Sequence, residues 1–207
     1  FVDVPIKGLL DPDYIARRAA LIGTLAGPAP SAGIPVPIER GPDTTNEAAG
    51  TSHFVIVVAR GNVALMTTTV ESLFGSGRAV SGFFLNNQLT DFAFNPVGPD
   101  GEPVANAVAP GKRPRSSMSP AIVLDREGAV VAALGSPGGN AILAYVGKTL
   151  VGLYAWELPV KDAIELPNLV ARGGDFNGEL AKFSPEVVAD LAARGIVIKP
   201  GRGEESG

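Results

Sequence analysis

Gly50-Thr51-Ser52-His53-Phe54-Val55-Ile56-Val57-Val58, then Ala59-Arg60-Gly61-Asn62, then Val63-Ala64-Leu65-Met66-Thr67-Thr68-Thr69 is the stretch that decides the fold. Two runs of β-branched and apolar residues on either side of a short glycine-containing turn predict a β-hairpin, with Thr51 heading its first strand. Ala121-Ile122-Val123-Leu124, the turn Asp125-Arg126-Glu127-Gly128, and Ala129-Val130-Val131-Ala132-Ala133-Leu134 predict a second hairpin. The runs are apolar at successive positions, the pattern of strands covered on both faces.

Working outward, residues 27–50 are rich in Pro, Gly, Ala and Ser without periodicity and read as a linker. Before it, Asp11-Pro12-Asp13 is a helix start, an acidic N-cap followed by proline at the first helical position. That helix is expected to run through Ile15, Ala19 and Ile22 and to fade at Gly23. After Gly135-Ser136-Pro137-Gly138-Gly139, the residues Ile142, Leu143, Val146, Leu150 and Leu153 fall on one helical face. A shorter helix is expected near Pro159. A last one starts with Ser184 as N-cap and Pro185 at its first position and stops at Gly195, followed by a strand over Ile196-Val197-Ile198. Strands first and helices later predict a layered α+β sandwich.

The chain has 207 residues, a net charge of −4, one histidine and no cysteine. No Lys/Arg-rich run offers a nucleic-acid footprint, and charged or Gly/Pro residues interrupt every apolar stretch before it reaches transmembrane length. The lack of cysteine removes disulfides, thiol catalysis and cysteine-bound zinc. A metal site would have to be built from carboxylates, and none cluster suitably. A serine-histidine-aspartate triad would have to use His53. The start at Phe1-Val2-Asp3 and the end at Gly-Glu-Glu-Ser-Gly are those expected of a piece of a longer protein.

Four features carry chemistry. A small-residue linker ends in Gly50 and is followed at once by Thr51 heading a strand. If the Gly50–Thr51 peptide breaks, Thr51 holds a nucleophilic hydroxyl and, on the same residue, a free α-amine to take its proton, so no histidine is required. The same hydroxyl can attack the Gly50 carbonyl to break that peptide, and glycine leaves the carbonyl unobstructed. Gly135-Ser136-Pro137-Gly138-Gly139 lies between a strand and a helix, where unpaired backbone N–H groups can hold an oxyanion. It lacks the spacing of a phosphate loop. Pro114-Arg115-Ser116-Ser117-Met118-Ser119-Pro120 offers hydroxyls to a carboxylate. Leu85-Asn86-Asn87-Gln88-Leu89-Thr90-Asp91-Phe92 sets Gln88 and Asp91 in apolar surroundings, where Asp91 can pair with an ammonium group. Each also has a plainer reading: a strand-starting threonine, a tight turn, a solvated turn and a capped turn. Together they supply a nucleophile, an oxyanion hole and holders for both charged groups of an amino-acid head.

With these motifs the chain resembles the γ-glutamyltransferase family over residues 51–198. The resemblance is carried by Thr51-Ser52-His53-Phe54, Phe74-Gly75-Ser76-Gly77, Leu85-Asn86-Asn87-Gln88 with Asp91-Phe92, Lys112-Arg113-Pro114-Arg115-Ser116-Ser117-Met118-Ser119-Pro120, and Gly135-Ser136-Pro137-Gly138-Gly139, in the family's order. It implies an αββα sandwich of the N-terminal-nucleophile hydrolase type, incomplete in this chain and made by autocatalytic cleavage of a precursor at Gly50–Thr51. Residues 1–26 are then the helical end of the large subunit, 27–50 a flexible linker before the processing site, and 51–207 the catalytic small-subunit domain. The resemblance further implies that Thr51 takes the γ-glutamyl group of glutathione or a similar amide and passes it to water, an amino acid or a peptide. Thr69 is expected to hydrogen-bond and help activate Thr51, and Gly138 and Gly139 to supply oxyanion N–H groups. Ser116 and Ser117 are expected to hold the donor's α-carboxylate, and Gln88 and Asp91 its α-ammonium. No cofactor is implied. The expected partner is the remaining large-subunit region, which carries the family's carboxylate-binding arginine. The expected location is the periplasm or outside the cell.

Two departures stand out. Many members have Asn two residues after the assisting threonine, where this chain has Glu71, a candidate substrate contact. The segment Pro96 to Gly111 is short and has no aromatic residue, so the tyrosine lid of some members is expected to be missing, favouring bulkier donors or hydrolysis. His53, two residues after Thr51, is expected to make a structural hydrogen bond. Alternative readings are a related amidase, a cephalosporin acylase or a poly-γ-glutamate depolymerase, or a non-catalytic, unprocessed member. Alone, the chain is expected to expose apolar sheet surface and to be inactive or to pair with the missing region or itself.

Overall fold

The computed structural model describes residues 4–36, 50–99 and 101–201. The first elements are α1 (Ile6–Leu9) and α2 (Pro12–Ala19), then β1 (Thr51–Val57), β2 (Val63–Thr69), β3 (Ala79–Val80) and β4 (Phe83–Phe84). A 3-10 turn at Gln88–Asp91 precedes β5 (Ala121–Leu124) and β6 (Val130–Leu134). A second 3-10 turn, Gly139–Ala141, leads into α3 (Ile142–Tyr154), followed by α4 (Val160–Glu165). The chain continues through β7 (Leu169–Ala171), β8 (Phe176–Gly178), α5 (Pro185–Ala193) and β9 (Ile198–Pro200).

These elements form two compact units. The first comprises Phe1–Thr44, Ala93–Arg113 and Leu169–Arg202; the second comprises Thr45–Phe92, Pro114–Asn168 and Gly203–Gly207. In the first unit β8 lies between β7, antiparallel to it, and β9, parallel to it. The Asp11 carboxylate accepts from the Tyr14 N–H at 2.7 Å, capping α2 as its sequence predicts. Past Ala19 the chain tightens, with Leu21 and Ile22 N–H donating three residues back, which is the expected fading before Gly23. The predicted linker lies partly outside the described residues, at 37–49. Ser184 caps α5, accepting from the Val187 N–H at 3.3 Å. The last strand begins two residues later than predicted: Gly195 takes a left-handed φ of 84°, and the Ile196 N–H closes the helix on the Leu191 carbonyl at 2.8 Å. Ile196 is thereby committed to the cap.

The second unit holds both predicted hairpins. β1 pairs with β2 in the register Thr51↔Thr69, His53↔Thr67, Val55↔Leu65 and Val57↔Val63, and β5 pairs with β6. β2 packs alongside β6. Contrary to the expectation of two covered faces, Phe54, Ile56 and Met66 point together to an exposed face of the first hairpin, and Ile122 and Leu124 are exposed on the second. The opposite face of the first hairpin is half-buried at Thr51, His53, Leu65, Thr67 and Thr69 and exposed at Val55 and Val57. α3 buries Ile142, Tyr145 and Val146, whereas Leu143, predicted on that face, is exposed. Its Gly152 lets α4 approach closely: a Cβ there would lie 3.0 Å from that of the fully buried Ala163. Lys148 holds the end of α4, donating to the Ile164 and Leu166 carbonyls at 3.0 and 2.7 Å. Among the described residues no helix is long and apolar enough to cross a membrane.

Candidate active site

Every residue singled out for chemistry lies in the second unit. Thr51 opens β1 directly opposite Thr69, the last residue of β2, because a hairpin with a short turn and strands of equal length pairs first with last. The Thr69 hydroxyl donates to the Gly50 carbonyl at 3.3 Å and accepts from the Glu71 N–H at 2.8 Å. A hydroxyl has one hydrogen, so with that hydrogen on Gly50 the Thr69 oxygen faces Thr51 only as an acceptor. Thr69 therefore engages the carbonyl of the peptide expected to break. Gly50 runs so close to the next turn that a Cβ on it would lie 2.3 Å from the Glu71 carbonyl oxygen.

Glu71 itself sits at φ 75°, a left-handed conformation uncommon for a glutamate, with its side chain only 6% exposed. The Gln88 amide donates to the Glu71 carboxylate at 3.4 Å and to the carboxylate of Asp91, which is 3% exposed. One amide thus spans two buried acids. Asn87 fixes the turn that carries them: its side-chain oxygen accepts from the Ser72 N–H at 3.0 Å, its amide donates to the Ser72 hydroxyl at 2.9 Å, and its own N–H donates to the Val70 carbonyl at 3.3 Å. Two acidic groups around a neutral amide make a surface for a compact cation such as an ammonium group.

The Gly135–Gly139 loop connects β6 to α3 as predicted. Gly138 and Gly139 have φ of 133° and 50°, which L side chains rarely adopt, and they precede the first helical hydrogen bonds, where backbone N–H groups have no intrahelical acceptor. Tyr145, buried in α3, covers Gly138 so closely that a Cβ there would meet its ring at 2.6 Å. At the other end of the loop a Cβ on Gly135 would overlap the His53 ring, 2.2 Å from its Cε1. His53 Nδ1 lies 2.8 Å from the Thr67 hydroxyl, the structural hydrogen bond expected of it. Its Nε2 is shut off from solvent with no hydrogen-bond partner among the described residues, and burial lowers the pKa of the ring.

Ser116 and Ser117 lie just ahead of β5. The Ser116 hydroxyl is exposed and accepts from the Met118 N–H at 3.2 Å; Ser117 is buried, and its carbonyl accepts from the Ser119 hydroxyl at 2.9 Å. The hydrogen-bonded chain Gly50–Thr69–Glu71–Gln88–Asp91 joins the Thr51 end of the first hairpin to the acidic pair, and His53 lies between β1 and the glycine loop. The two serines stand outside this bonded chain. Thr67, Asn87 and Tyr145 were given no role from sequence. Thr67 was legible, since hairpin pairing places it opposite His53; the packing of Tyr145 on Gly138 leaves no local pattern.

The sequence profile of the Gamma-glutamyltranspeptidase family matches residues 1–207. The chain is 39% identical over 180 residues to the glutathione hydrolase proenzyme of Bacillus subtilis strain 168, covering 82% of this chain and 30% of that protein. It is 34% identical over 198 residues to the acylase ACY 1 proenzyme of Pseudomonas sp. strain SE83, covering 94% of this chain and 32% of the other. Among solved structures, a highly active mutant of γ-glutamyltranspeptidase from Pseudomonas nitroreducens superposes with a TM-score of 0.63 at 33% identity, over 74% of this chain and 84% of that one. The chain therefore spans about a third of the length of the curated relatives named here. A helix-and-strand unit of the N-terminal-nucleophile hydrolase type, headed by a threonine-led hairpin and matched by that profile from end to end, belongs to the γ-glutamyltranspeptidase family.

Proposed function

We propose that this chain carries the catalytic half of an enzyme that cleaves or transfers γ-glutamyl amides such as glutathione. In the first reaction the Thr51 hydroxyl attacks the Gly50 carbonyl. The peptide nitrogen becomes the Thr51 α-amine, and water opens the resulting Gly50 ester. In the second, the freed amine accepts the hydroxyl proton as Thr51 Oγ1 attacks the donor's γ-carbonyl. The Gly138 and Gly139 N–H groups hold the oxyanion, and the amine returns the proton to the departing nitrogen. Water, an amino acid or a peptide then takes the γ-glutamyl group from the Thr51 ester. Glu71, Gln88 and Asp91 hold the donor's α-ammonium, and Ser116 and Ser117 its α-carboxylate. Residues preceding Thr51 belong to a large subunit that supplies the rest of the site.

The observation that carries this reading is the Thr69 hydroxyl on the Gly50 carbonyl, at the peptide whose breakage creates the nucleophile. Intact mass and N-terminal sequencing of the full-length protein test it. The expected result is a fragment beginning Thr51-Ser52-His53 in the wild type and an uncleaved, inactive chain in Thr51→Ala. A wild-type protein that turns over γ-glutamyl donors without that cleavage refutes it. A second reading, an acylase for other amides, draws on the similarity to the acylase ACY 1 proenzyme. The acidic pair around Gln88 favours a donor bearing an ammonium group. Comparing γ-glutamyl donors with acyl amides that lack one separates the two.

A further inference from the structure

We propose that His53 is a positioning residue that keys the nucleophile's strand to the oxyanion loop. The inference rests on the proposed roles of Thr51 and of Gly138 and Gly139. Thr51 and His53 are two apart in β1 and share its half-buried face, so displacement of one is transmitted to the other through the two peptide links of Ser52. The imidazole makes no hydrogen bond to Thr51: Nδ1 is on Thr67, and Nε2 has no partner among the described residues. It occupies the space that a side chain at Gly135 would fill, with three ring atoms within 2.2–2.7 Å of where that Cβ would stand. The ring cannot rotate away freely, because Nδ1 is tied to the Thr67 hydroxyl at 2.8 Å. Thr67 and Thr69 project from the same face of β2, so the hydroxyl that anchors the key and the one on the Gly50 carbonyl share one strand.

Gly135 has an ordinary φ, unlike Gly138 and Gly139, so its backbone tolerates alanine, and the three atoms nearest to a Cβ there all belong to the imidazole. A cavity of about 200 Å³ adjoins the ring, lined also by Ser136, Tyr145, Lys148 and Thr149. Because the ring is tied to Thr67, a methyl group at Gly135 displaces the ring together with its strand, and the strain falls on the spacing between β1 and the loop. Catalysis that depends on a nucleophile and an oxyanion hole is sensitive to shifts of about 1 Å, which cost on the order of 10²-fold in rate.

The test is a cycle in the full-length protein: Gly135→Ala, His53→Asn and the double variant, read by kcat, KM and thermal midpoint. Asparagine keeps a polar atom for Thr67 but empties the seat over Gly135. Gly135→Ala is expected to lower kcat roughly tenfold to a hundredfold with KM changed less than about twofold. His53→Asn is expected to lower kcat about tenfold, again with little change in KM. The double variant should exceed Gly135→Ala in kcat, because the new methyl group then fills the vacated seat. A purely structural role would lower the thermal midpoint and leave kcat of the folded fraction unchanged; that result, or strictly additive losses, overturns the inference. If Gly135→Ala does not fold, His53→Asn at wild-type kcat overturns it alone. Thr51→Ala in parallel separates the two claims: retained turnover there removes the proposed function, whereas an inactive Thr51→Ala beside an unimpaired Gly135→Ala removes only the role of His53.

Discussion

Replacing Thr69 by valine exchanges a hydroxyl for a methyl group of nearly the same shape and keeps the branching that suits a strand. Two hydrogen bonds are lost. The Glu71 N–H loses its acceptor at 2.8 Å, in a residue that is only 6% exposed. A buried donor left unpaired costs about 1–3 kcal/mol. For a chain of this size each kcal/mol moves the thermal midpoint by roughly 2–4 °C, so a fall of about 2–12 °C is expected. The second bond, to the Gly50 carbonyl, is 3.3 Å long, at the outer edge of hydrogen-bond geometry. A well-placed donor to a developing oxyanion is worth on the order of 10²–10³ in rate; at this length we expect less than that full effect, about tenfold to a hundredfold slower cleavage of Gly50–Thr51. The assay is a time course of intact mass on freshly purified full-length protein, with differential scanning calorimetry on the same samples. Thr69→Ser restores the hydroxyl and should recover cleavage. Wild-type cleavage in Thr69→Val with an unshifted melt would refute both halves of the argument.

Glu71→Asn removes one of the two acids around Gln88 and places a residue that accepts left-handed φ more readily at 75°. KM for γ-glutamyl donors should rise about tenfold, the scale of one lost charge-assisted contact, while the melt holds or rises; an unchanged KM would remove Glu71 from the ammonium site. Gly152→Ala should gain about 1 kcal/mol of helix propensity. It should lose more, about 1–3 kcal/mol, through overpacking against Ala163, so a higher melting point would contradict the packing of α3 on α4. His53 has its pKa lowered by burial, so the unfolded chain binds its proton more tightly than the folded one. Its contribution to stability is complete above the ordinary value of 6.5 and is lost as pH falls below it towards the lowered value. Denaturant midpoints of wild type and His53→Asn at about pH 7.5 and about pH 5.5 should therefore converge at the lower pH, relative to their difference at the higher; parallel curves would refute it.

What could be read ahead of the structure was what neighbours in sequence decide. Asp11 before Pro12 and Ser184 before Pro185 are caps whose chemistry is complete within one turn, and α2 and α5 begin where those residues place them. β2 runs from Val63 to Thr69 as predicted because its pattern and its turn are both local. Hence Thr51 opposite Thr69 follows from counting back along a hairpin. The misses depend on partners distant in sequence or outside the chain. The two-residue strands Ala79–Val80 and Phe83–Phe84 have too few residues to show alternation. The apolar run Phe54-Val55-Ile56 predicts a strand covered on both sides, yet all three residues are exposed here, and composition cannot tell whether a cover is within the same chain. Glu71 belongs to the same group. Nothing in its neighbours announces a left-handed glutamate; it is set by the stitching of Ser72 to Asn87 and by the close pass of Gly50.

The chain has one imidazole and one indole, and they fall in very different places. His53 is wedged between the first hairpin and the glycine loop, whereas Trp156, just past α3, is 60% exposed. That contrast supplies two built-in spectroscopic probes needing no label. The ring signals of a single histidine, free of overlap from any other in the chain, report the seat beside Gly135, and the emission of a single tryptophan reports the solvated end of the helix. A change confined to the first is local to the reacting end, and a change in both is the unit opening.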